Sequence, residues 1–339
     1  MAKSPKLLAF FFLLNLIIVN DRKLSRIALA GLVFGGLVFG GYSYWKNLPP
    51  KETGQEPDGG EEETGSETFS ITWTKDNGAR VTDGSVPYIY KLPDGRYRLY
   101  YCGQGGILSA ISNNGLDFTK DSGVRIAPAS GFESVVCDPT LVELADGRVR
   151  MYYKGADSSQ GGPGQSIHKI FSAVSTDGLT FTREGLRIDS EKTDDRGWAS
   201  VPEAIKLPDG RVRIYYVTGD SEANNGIASA ISSDGLAFTK ESGVRVPNFV
   251  DPAILQLADG TFLMLVANPG FYQEVPSGIY SFTSADGLAF GNRQTVLAGN
   301  NIFDPTVVFL DGQTLRVYFG KIPADLGLPS TESATGIIQ

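Results

Sequence analysis

Three aspartates of the 339-residue chain stand directly before a proline, at positions 138, 251 and 304. A glutamate, Glu203, directly follows Pro202. Such carboxyl groups suit glycosidic bond hydrolysis, because one must act as acid and a second as base or nucleophile. Crowding also raises the pKa of one carboxyl group, which a general acid requires. We therefore predict Asp138 and Glu203 as catalytic residues, and Asp251 and Asp304 as substrate-binding residues.

The aspartates also admit a structural interpretation. Side chains of this type cap nearby backbone N–H groups, and a residue that recurs with a repeat often fixes the start of a strand. Val86 and Val201 occupy the equivalent places in two further copies of the same phrase. Glu203 departs from the repeat and is harder to explain as scaffold. Both interpretations stay open at this point.

Composition excludes several kinds of site. The single histidine, His168, removes multi-histidine zinc centres and leaves a Ser-His-Asp triad only one base. Two cysteines cannot form a four-thiolate metal site. A formal net charge of −8 is unsuited to nucleic acid, which requires a basic surface. We expect no cofactor, no metal and no nucleic-acid partner.

A five-fold repeat positions these residues. One phrase opens each copy and reads as a β-hairpin, with an apolar strand, an Asp-Gly turn and a second strand. A second phrase, typified by "STDGLTF" (175–181), adds another turn between two short strands. The five opening phrases are "VPYIYKLPDGRYRLYY" (86–101), "DPTLVELADGRVRMYY" (138–153), "VPEAIKLPDGRVRIYY" (201–216), "DPAILQLADGTFLMLV" (251–266) and "DPTVVFLDGQTLRVYF" (304–319). Each copy therefore predicts a four-stranded antiparallel propeller blade.

The two ends of the repeat region predict a closed ring. The fifth copy lacks the sequence of an outer strand. Such a sequence occurs instead before the first copy, where "WTKDNGARV" (73–81) matches the outer-strand segment "FTKDSGVRI" (118–126) of blade 1. We expect residues near 69–75 to supply that strand, giving an all-β, five-bladed β-propeller over 68–339. The first strand of a blade is innermost, so Asp138, Asp251 and Asp304 should surround one mouth of the central channel. Strand alternation predicts Glu203 on the same side.

Other residues of this predicted face suit a sugar. Trp198 and Tyr272 offer stacking surfaces, and Arg196 and Glu133 offer hydrogen bonds to hydroxyl groups. The repeated tyrosine pairs and the arginine before them should be scaffold, and we expect His168 to lie on the surface. Cys102 ends a strand of blade 1 and Cys137 begins one of blade 2 at the same face. We predict a disulfide between them.

The N-terminal region predicts a membrane anchor. Residues 27–45 carry no charge, are about long enough for a transmembrane helix and follow three basic residues. We predict an uncleaved signal anchor within residues 1–45, an acidic disordered linker over 46–67, and a single-pass cell-membrane protein with its propeller outside the cytoplasm. The role of the apolar run 7–19 stays open. Two GxxxG patterns permit self-association of the helix, although a glycine-rich anchor without a partner fits equally.

The five-fold phrase, the Asp-Pro strand starts, the SxDGLxF turn and the split last blade resemble five-bladed propeller glycosidases. These are the arabinanase and xylosidase group, family 43, and the invertase and levansucrase group, families 32 and 68. The resemblance implies an Asp in blade 1, a second in blade 2 or 3, and an acidic Glu in blade 3 or 4. Asp138 matches the second aspartate and Glu203 is nearest to the acid. Val86 stands where the blade 1 aspartate is expected, and Asp83 lies three residues earlier.

Two functions follow as alternatives. The first is a glycoside hydrolase-like propeller that acts on or binds a carbohydrate at the channel mouth. The second is a glycan-binding or scaffold propeller without catalysis, because the blade 1 aspartate is missing. A sialidase ranks below both. The SxDGLxF turn is one residue shorter than the sialidase Asp-box, and the arginines repeat as scaffold.

Overall fold

The computed structural model describes residues 70–157, 159, 167–219, 226–270, 272–324 and 327–339. Within these residues, no helix has the length and apolar character needed to cross a bilayer. The predicted anchor, the predicted linker and the run 7–19 lie outside the described residues.

Five antiparallel sheets make up the described chain, and each is one propeller blade, as the repeat predicts. Blades 1 and 2 contain β2 Gly84–Lys91, β3 Tyr97–Gly103, β4 Gly106–Ser112, β5 Thr119–Lys120, then β6 Val135–Glu143, β7 Val149–Ala156, β8 His168–Ser175 and β9 Thr182–Ile188. Blades 3 and 4 contain β10 Ala199–Lys206, β11 Val212–Thr218, β12 Gly226–Ser232, β13 Thr239–Lys240 and β14 Val246–Pro247, then β15 Val250–Gln256, β16 Phe262–Asn268, β17 Gly278–Ser284 and β18 Gly291–Ala298. The first strands β2, β6, β10, β15 and β19 contact one another in order, and β19 contacts β2.

Blade 5 joins the two ends of the described chain. It consists of β19 Ile302–Phe309, β20 Thr314–Lys321 and β21 Ser330–Ile338, with β1 Ile71–Lys75 as its outer strand. Strand β1 pairs antiparallel with β21, from Ile71 opposite Ile338 to Lys75 opposite Ala334. The predicted ring closure by an N-terminal strand is therefore confirmed. Closure leaves no exposed first strand at the channel, which protects the sheet edges.

Each SxDG phrase forms a tight turn held by its own side chains. In blade 2, the Ser175 hydroxyl accepts a hydrogen bond from Gly178 N at 2.9 Å. The Asp177 carboxylate accepts from Leu179 N and Thr180 N, both at 2.8 Å. Gly178 has φ 68°, a left-handed conformation that glycine adopts at little cost. These bonds lower the pKa of Asp177 to about 2.

The repeated Arg-x-Tyr sequence fastens each turn to the preceding blade. Arg150 of β7 donates to Asp234 O at 3.1 Å, and the Tyr152 hydroxyl donates to Gly235 O at 2.7 Å. The same pair of bonds joins blade 1 to 2, 3 to 4 and 5 to 1. Blade 4 has Leu263 and Leu265 in these places, and blade 5 has no such turn to hold because its outer strand is β1. The scaffold role predicted for the arginines and tyrosines is confirmed.

Candidate functional site

A backbone irregularity recurs where each innermost strand starts. In all five blades the pairing of the first two strands shifts register at the residue before proline and at the proline itself. The residue before the proline has a positive φ each time: Val86 57°, Asp138 55°, Val201 47°, Asp251 56° and Asp304 47°. A β-bulge of this kind redirects side chains, so simple strand alternation does not apply across it.

The two valines show what this bulge requires. A positive φ is tolerated by aspartate but strained for a β-branched residue. Val86 and Val201 nevertheless adopt it, so the bulge forms without a carboxylate. The bulge therefore does not require an aspartate, although an aspartate adopts it with less strain than a valine.

Asp138 lies in a buried ion pair at the mouth. Lys154 Nζ is 2.7 Å from Asp138 Oδ2, and both side chains are less than a tenth exposed. Lys154 stands in β7 opposite Cys137, where the other blades have Cys102, Val217, Ala267 and Gly320. Burying an unpaired aspartate is costly, so this lysine stabilises the carboxylate. The signal in the sequence that marks Lys154 is its departure from the repeat at this position.

Asp251 and Asp304 form a second unit beside this ion pair. Asp304 N donates to Asp251 Oδ2 at 3.2 Å. Burial raises the pKa of the Asp251 carboxyl, and the negative charge of Asp138 raises it further. Burial raises the pKa of Asp304, and the negative charges of Asp251 and Asp138 raise it further. The Asp304 residue nevertheless keeps some exposure at the mouth. Because like charges this close resist ionising together, ionisation of one carboxyl group of the pair disfavours ionisation of the other.

Glu203 belongs to a different group in the channel. Its Oε1 accepts a hydrogen bond from Ile254 N of the next blade at 3.3 Å. The hydroxyls of Thr140 and Thr306 make the equivalent bond to the blades that follow theirs, at 3.0 and 3.2 Å. Glu203 thus fills a position that links innermost strands. Burial raises its pKa to about 8, against smaller opposing contributions from Ile254 N and Thr140.

The structure therefore assembles the candidates in two sets. Asp138, Asp251 and Asp304 share one electrostatic environment with Lys154. Glu203 interacts with Thr140, and its charge acts on Tyr88, whose hydroxyl donates to Leu141 O of blade 2 at 2.8 Å. Asp83 does not supply the missing blade 1 carboxylate, because it is ion-paired with Lys120 of the outer strand.

Trp198 and His168 stack on each other, with ring centroids 3.9 Å apart and an angle of 28° between planes. His168 is buried, so the prediction of a surface histidine is wrong. Burial, together with the nearby charge of Lys154, lowers its pKa well below the usual value. Its Nδ1 lies 3.0 Å from the Ser200 hydroxyl. One face of the Trp198 ring is thus covered by imidazole rather than open to a sugar.

The remaining predicted sugar contacts differ in availability. Glu133 Oε1 accepts from the Tyr153 hydroxyl and from Arg183 Nε, both at 2.6 Å, so scaffold groups occupy it. Tyr272 packs edge-to-face on Phe249 with centroids 5.7 Å apart and keeps part of its surface exposed. Arg196 is exposed and has φ 49°.

A disulfide joins Cys102 and Cys137, with Cα atoms 5.4 Å apart. It connects the end of β3 in blade 1 to the residue before Asp138. The two sulfurs and a carboxylate oxygen of Asp138 lie within 4.8 Å of one another. Since both sulfurs are bonded to each other, they offer no thiolate to a metal ion.

Comparisons bear on the fold. No protein-family model matches the sequence, and no curated protein does. Solved structures do match. A protein of unknown function from Dyadobacter fermentans is 14% identical, with 81% of this chain and 100% of that chain covered and a TM-score of 0.53.

Glycoside hydrolases are among the other structures that match. A thermostable family-43 glycoside hydrolase is 16% identical, with 78% of this chain and 91% of that chain covered and a TM-score of 0.57. A family-32 β-fructofuranosidase from Bombyx mori is 15% identical, with 75% of this chain and 61% of that chain covered and a TM-score of 0.56. The resemblance stated from the sequence is confirmed. At these identities it establishes the fold alone.

Proposed function

We propose that the propeller hydrolyses a glycosidic bond of a carbohydrate bound at the channel mouth. One observation carries the proposal: aspartates from blades 2, 4 and 5 share the mouth with a single buried lysine. Glycosidic hydrolysis requires one carboxyl group that holds a proton and a second that is ionised. The fold neighbours in families 43 and 32 support this choice of reaction.

Asp138 is the ionised partner in this mechanism, because Lys154 balances its charge at 2.7 Å. Two groups are candidates for the proton donor. Burial raises the pKa of Glu203 to about 8, and burial and mutual repulsion raise the pKa values of Asp251 and Asp304. A general acid of this kind donates its proton to the leaving oxygen while the carboxylate activates water or attacks the sugar.

The test is release of reducing sugar from arabinans, xylans, fructans and mannosides by the wild-type chain. Asp138→Asn should abolish release, and Glu203→Gln and Asp304→Asn identify the acid, since only the variant that removes the donor loses activity. Asp83→Asn is the matched control, because Asp83 is paired with Lys120 away from the mouth. No hydrolysis of any substrate by the wild type would exclude the proposal.

A second function, a glycan-binding propeller without catalysis, is favoured by Val86, which leaves blade 1 without a carboxyl group at the mouth. It predicts saturable binding of a glycan with no bond cleavage. Calorimetric titration of the same glycans distinguishes catalysis from binding alone. If the propeller only binds glycans, Asp138→Asn weakens binding and no variant releases product.

We also propose that residues 27–45 anchor the chain in the cell membrane with the propeller outside the cytoplasm. The charge-free stretch, the basic residues before it and a disulfide, which persists in oxidising compartments, support this orientation. Protease added to intact cells should digest the propeller, and alkaline extraction should leave the chain in the membrane. Protection of the propeller in intact cells would contradict the orientation. Replacing the GxxxG glycines by isoleucine tests self-association by cross-linking.

A further inference from the structure

A cavity of about 420 Å³ lies on blade 4, at the turns that connect β15 to β16 and β17 to β18. Asp251 starts β15 at the channel mouth, whereas Asp259 follows its other end. At about 3.3 Å per residue, the strand separates the two by roughly 15–20 Å. This cavity, the blade 4 cleft, is therefore distinct from the mouth and lies on the opposite face of the propeller.

The cleft coincides with three departures from the repeat. In blades 1 to 3 an arginine follows the Asp-Gly turn and pairs with its aspartate at 2.7 Å, as Arg96 does with Asp94. Blade 4 has Thr261 in that place, so among the described residues the carboxylate of Asp259 lacks this arginine partner. The backbone hydrogen bond of this turn is kept, with Thr261 N donating to Asp259 Oδ1 at 2.9 Å as the arginine N–H groups do in blades 1 to 3.

The other two departures lie on β17 and β18. Thr283 stands where blades 1 to 3 have Ile111, Val174 and Ile231. Gly291 pairs with Thr283, where the other blades place Thr119, Thr182 and Thr239. A Cβ at Gly291 would meet nothing within 4 Å, so the missing side chain leaves open space. The backbone there is not left-handed and does not itself require glycine.

The lining defines the ligand chemistry. It offers the Asp259 carboxylate, hydroxyls of Thr261 and Thr283, and the amide of Asn292, whose Nδ2 donates to Thr283 Oγ1 at 3.1 Å. Its other residues are serine, alanine and glycine, with no lysine, arginine or aromatic ring. A carboxylate without a cation in the lining disfavours phosphates and uronic acids, and the lack of large apolar side chains disfavours hydrophobic ligands.

We propose that the blade 4 cleft is a second binding site for an uncharged sugar, separate from the channel mouth. Hydroxyl groups of the sugar donate to Asp259 and exchange hydrogen bonds with Thr261, Thr283 and Asn292. The volume falls within the range of small-molecule sites. Two sites on one propeller would increase its retention on a polymeric glycan through effective concentration.

The test restores the residues of the other blades. The variant Thr261→Arg/Thr283→Ile/Gly291→Thr should close the cleft, because blades 1 to 3 accommodate these side chains at the same positions. The full chain is titrated by saturation-transfer NMR and calorimetry with neutral xylo-, arabino-, fructo- and manno-oligosaccharides. We expect the closed variant to lose at least ten-fold in affinity for one neutral sugar while its melting temperature is unchanged.

Asp259→Asn is a milder second variant, expected to weaken the same sugar without altering the fold. Asp94→Asn, at the corresponding turn of blade 1, is the control and should leave this affinity unchanged, because Asp94 is paired with Arg96 and lies outside both sites. Equal affinity in the wild type and the closed variant would overturn the proposal, and so would the absence of neutral-sugar binding that depends on Asp259. Preferential binding of an oligouronate or of Ca²⁺ would overturn it too. Since binding is measured without hydrolysis, failure of the proposed catalysis leaves the result unaffected.

Discussion

Replacing Glu203 by glutamine should make the propeller more stable at neutral pH. In the folded chain burial raises the pKa of this carboxyl group to about 8, whereas its ordinary value is 4.5. Glutamine resembles the protonated acid in shape and lack of charge, and its Oε1 can still accept from Ile254 N. Threonine, which fills the equivalent place at Thr140 and Thr306, provides a second neutral replacement.

The magnitude follows from proton linkage. Between pH 4.5 and pH 8 the unfolded chain has lost the Glu203 proton and the folded chain keeps it. The free energy of unfolding therefore falls as pH rises through this window, by about 1.4 kcal/mol per pH unit. At pH 7 the wild-type carboxyl costs roughly 3 kcal/mol, and at pH 8, where the folded group is half ionised, about 4 kcal/mol. Removing the ionisable group abolishes this contribution.

The contribution of the Glu203 carboxyl is measured by guanidinium unfolding of the wild type, Glu203→Gln and Glu203→Thr. The unfolding curves are recorded without reductant, at intervals of half a pH unit from pH 5 to 8. The difference in unfolding free energy between variant and wild type should grow steadily with pH. Glu143→Gln, at an exposed strand end, is the matched control and should show no such trend. A difference between Glu203→Gln and wild type that stays constant from pH 5 to 8 would refute a buried, protonated Glu203.

Three further predictions concern the scaffold and the mouth. Tyr152→Phe removes the hydrogen bond to Gly235 O and should cost about 1–2 kcal/mol of unfolding free energy. Tyr101→Phe is the control and should be neutral or stabilising, because the buried hydroxyl of Tyr101 has no hydrogen-bond partner in the described structure. Lys154→Met leaves Asp138 buried without its cation and should cost about 3–5 kcal/mol in guanidinium unfolding, and adding Asp138→Asn should recover most of it. Cys102→Ser/Cys137→Ser removes a disulfide between residues 35 positions apart and should lower the free energy of unfolding by about 3–4 kcal/mol. A wild-type melting temperature unchanged by reductant would contradict this.

The fold was predictable because each element recurs. A turn such as "STDGLTF" is weak alone, but four copies at matching distances fix four-stranded blades. The likeness of 73–81 to 118–126 identified the outer strand of blade 5, which β1 supplies. The convergence of Asp138, Asp251 and Asp304 followed from the same register. Within a ring, residues at the same place in different blades must lie at the same level of the channel.

Interactions that depend on departures from the repeat were harder to foresee. Lys154 interrupts a series of small or apolar residues, but its partner Asp138 becomes evident only from the pairing of β6 with β7. His168 is polar and begins a strand, which suggested a surface position. It is buried because Trp198, from the loop before β10, stacks on it. The bulge before each proline also interrupts strand alternation, so the environment of Glu203 could not be inferred by counting residues.

Val86→Asp would test both the scaffold and the proposed chemistry. Val86 has φ 57°, close to the values of Asp138 and Asp251, so aspartate should fit the same backbone and relieve about 1–2 kcal/mol of strain. The new carboxyl would lie between Asp304 of blade 5 and Asp138 of blade 2, and burial among like charges raises its pKa. Because its folded pKa exceeds its unfolded one, this variant should match or exceed wild-type stability at pH 4 and lose stability as pH rises. Val201→Asp, between Asp138 and Asp251, is the matched control. If a blade 1 carboxylate assists Asp138 in catalysis, only Val86→Asp should increase hydrolysis. Equal hydrolysis in both variants and the wild type would show that the mouth does not use a blade 1 carboxylate.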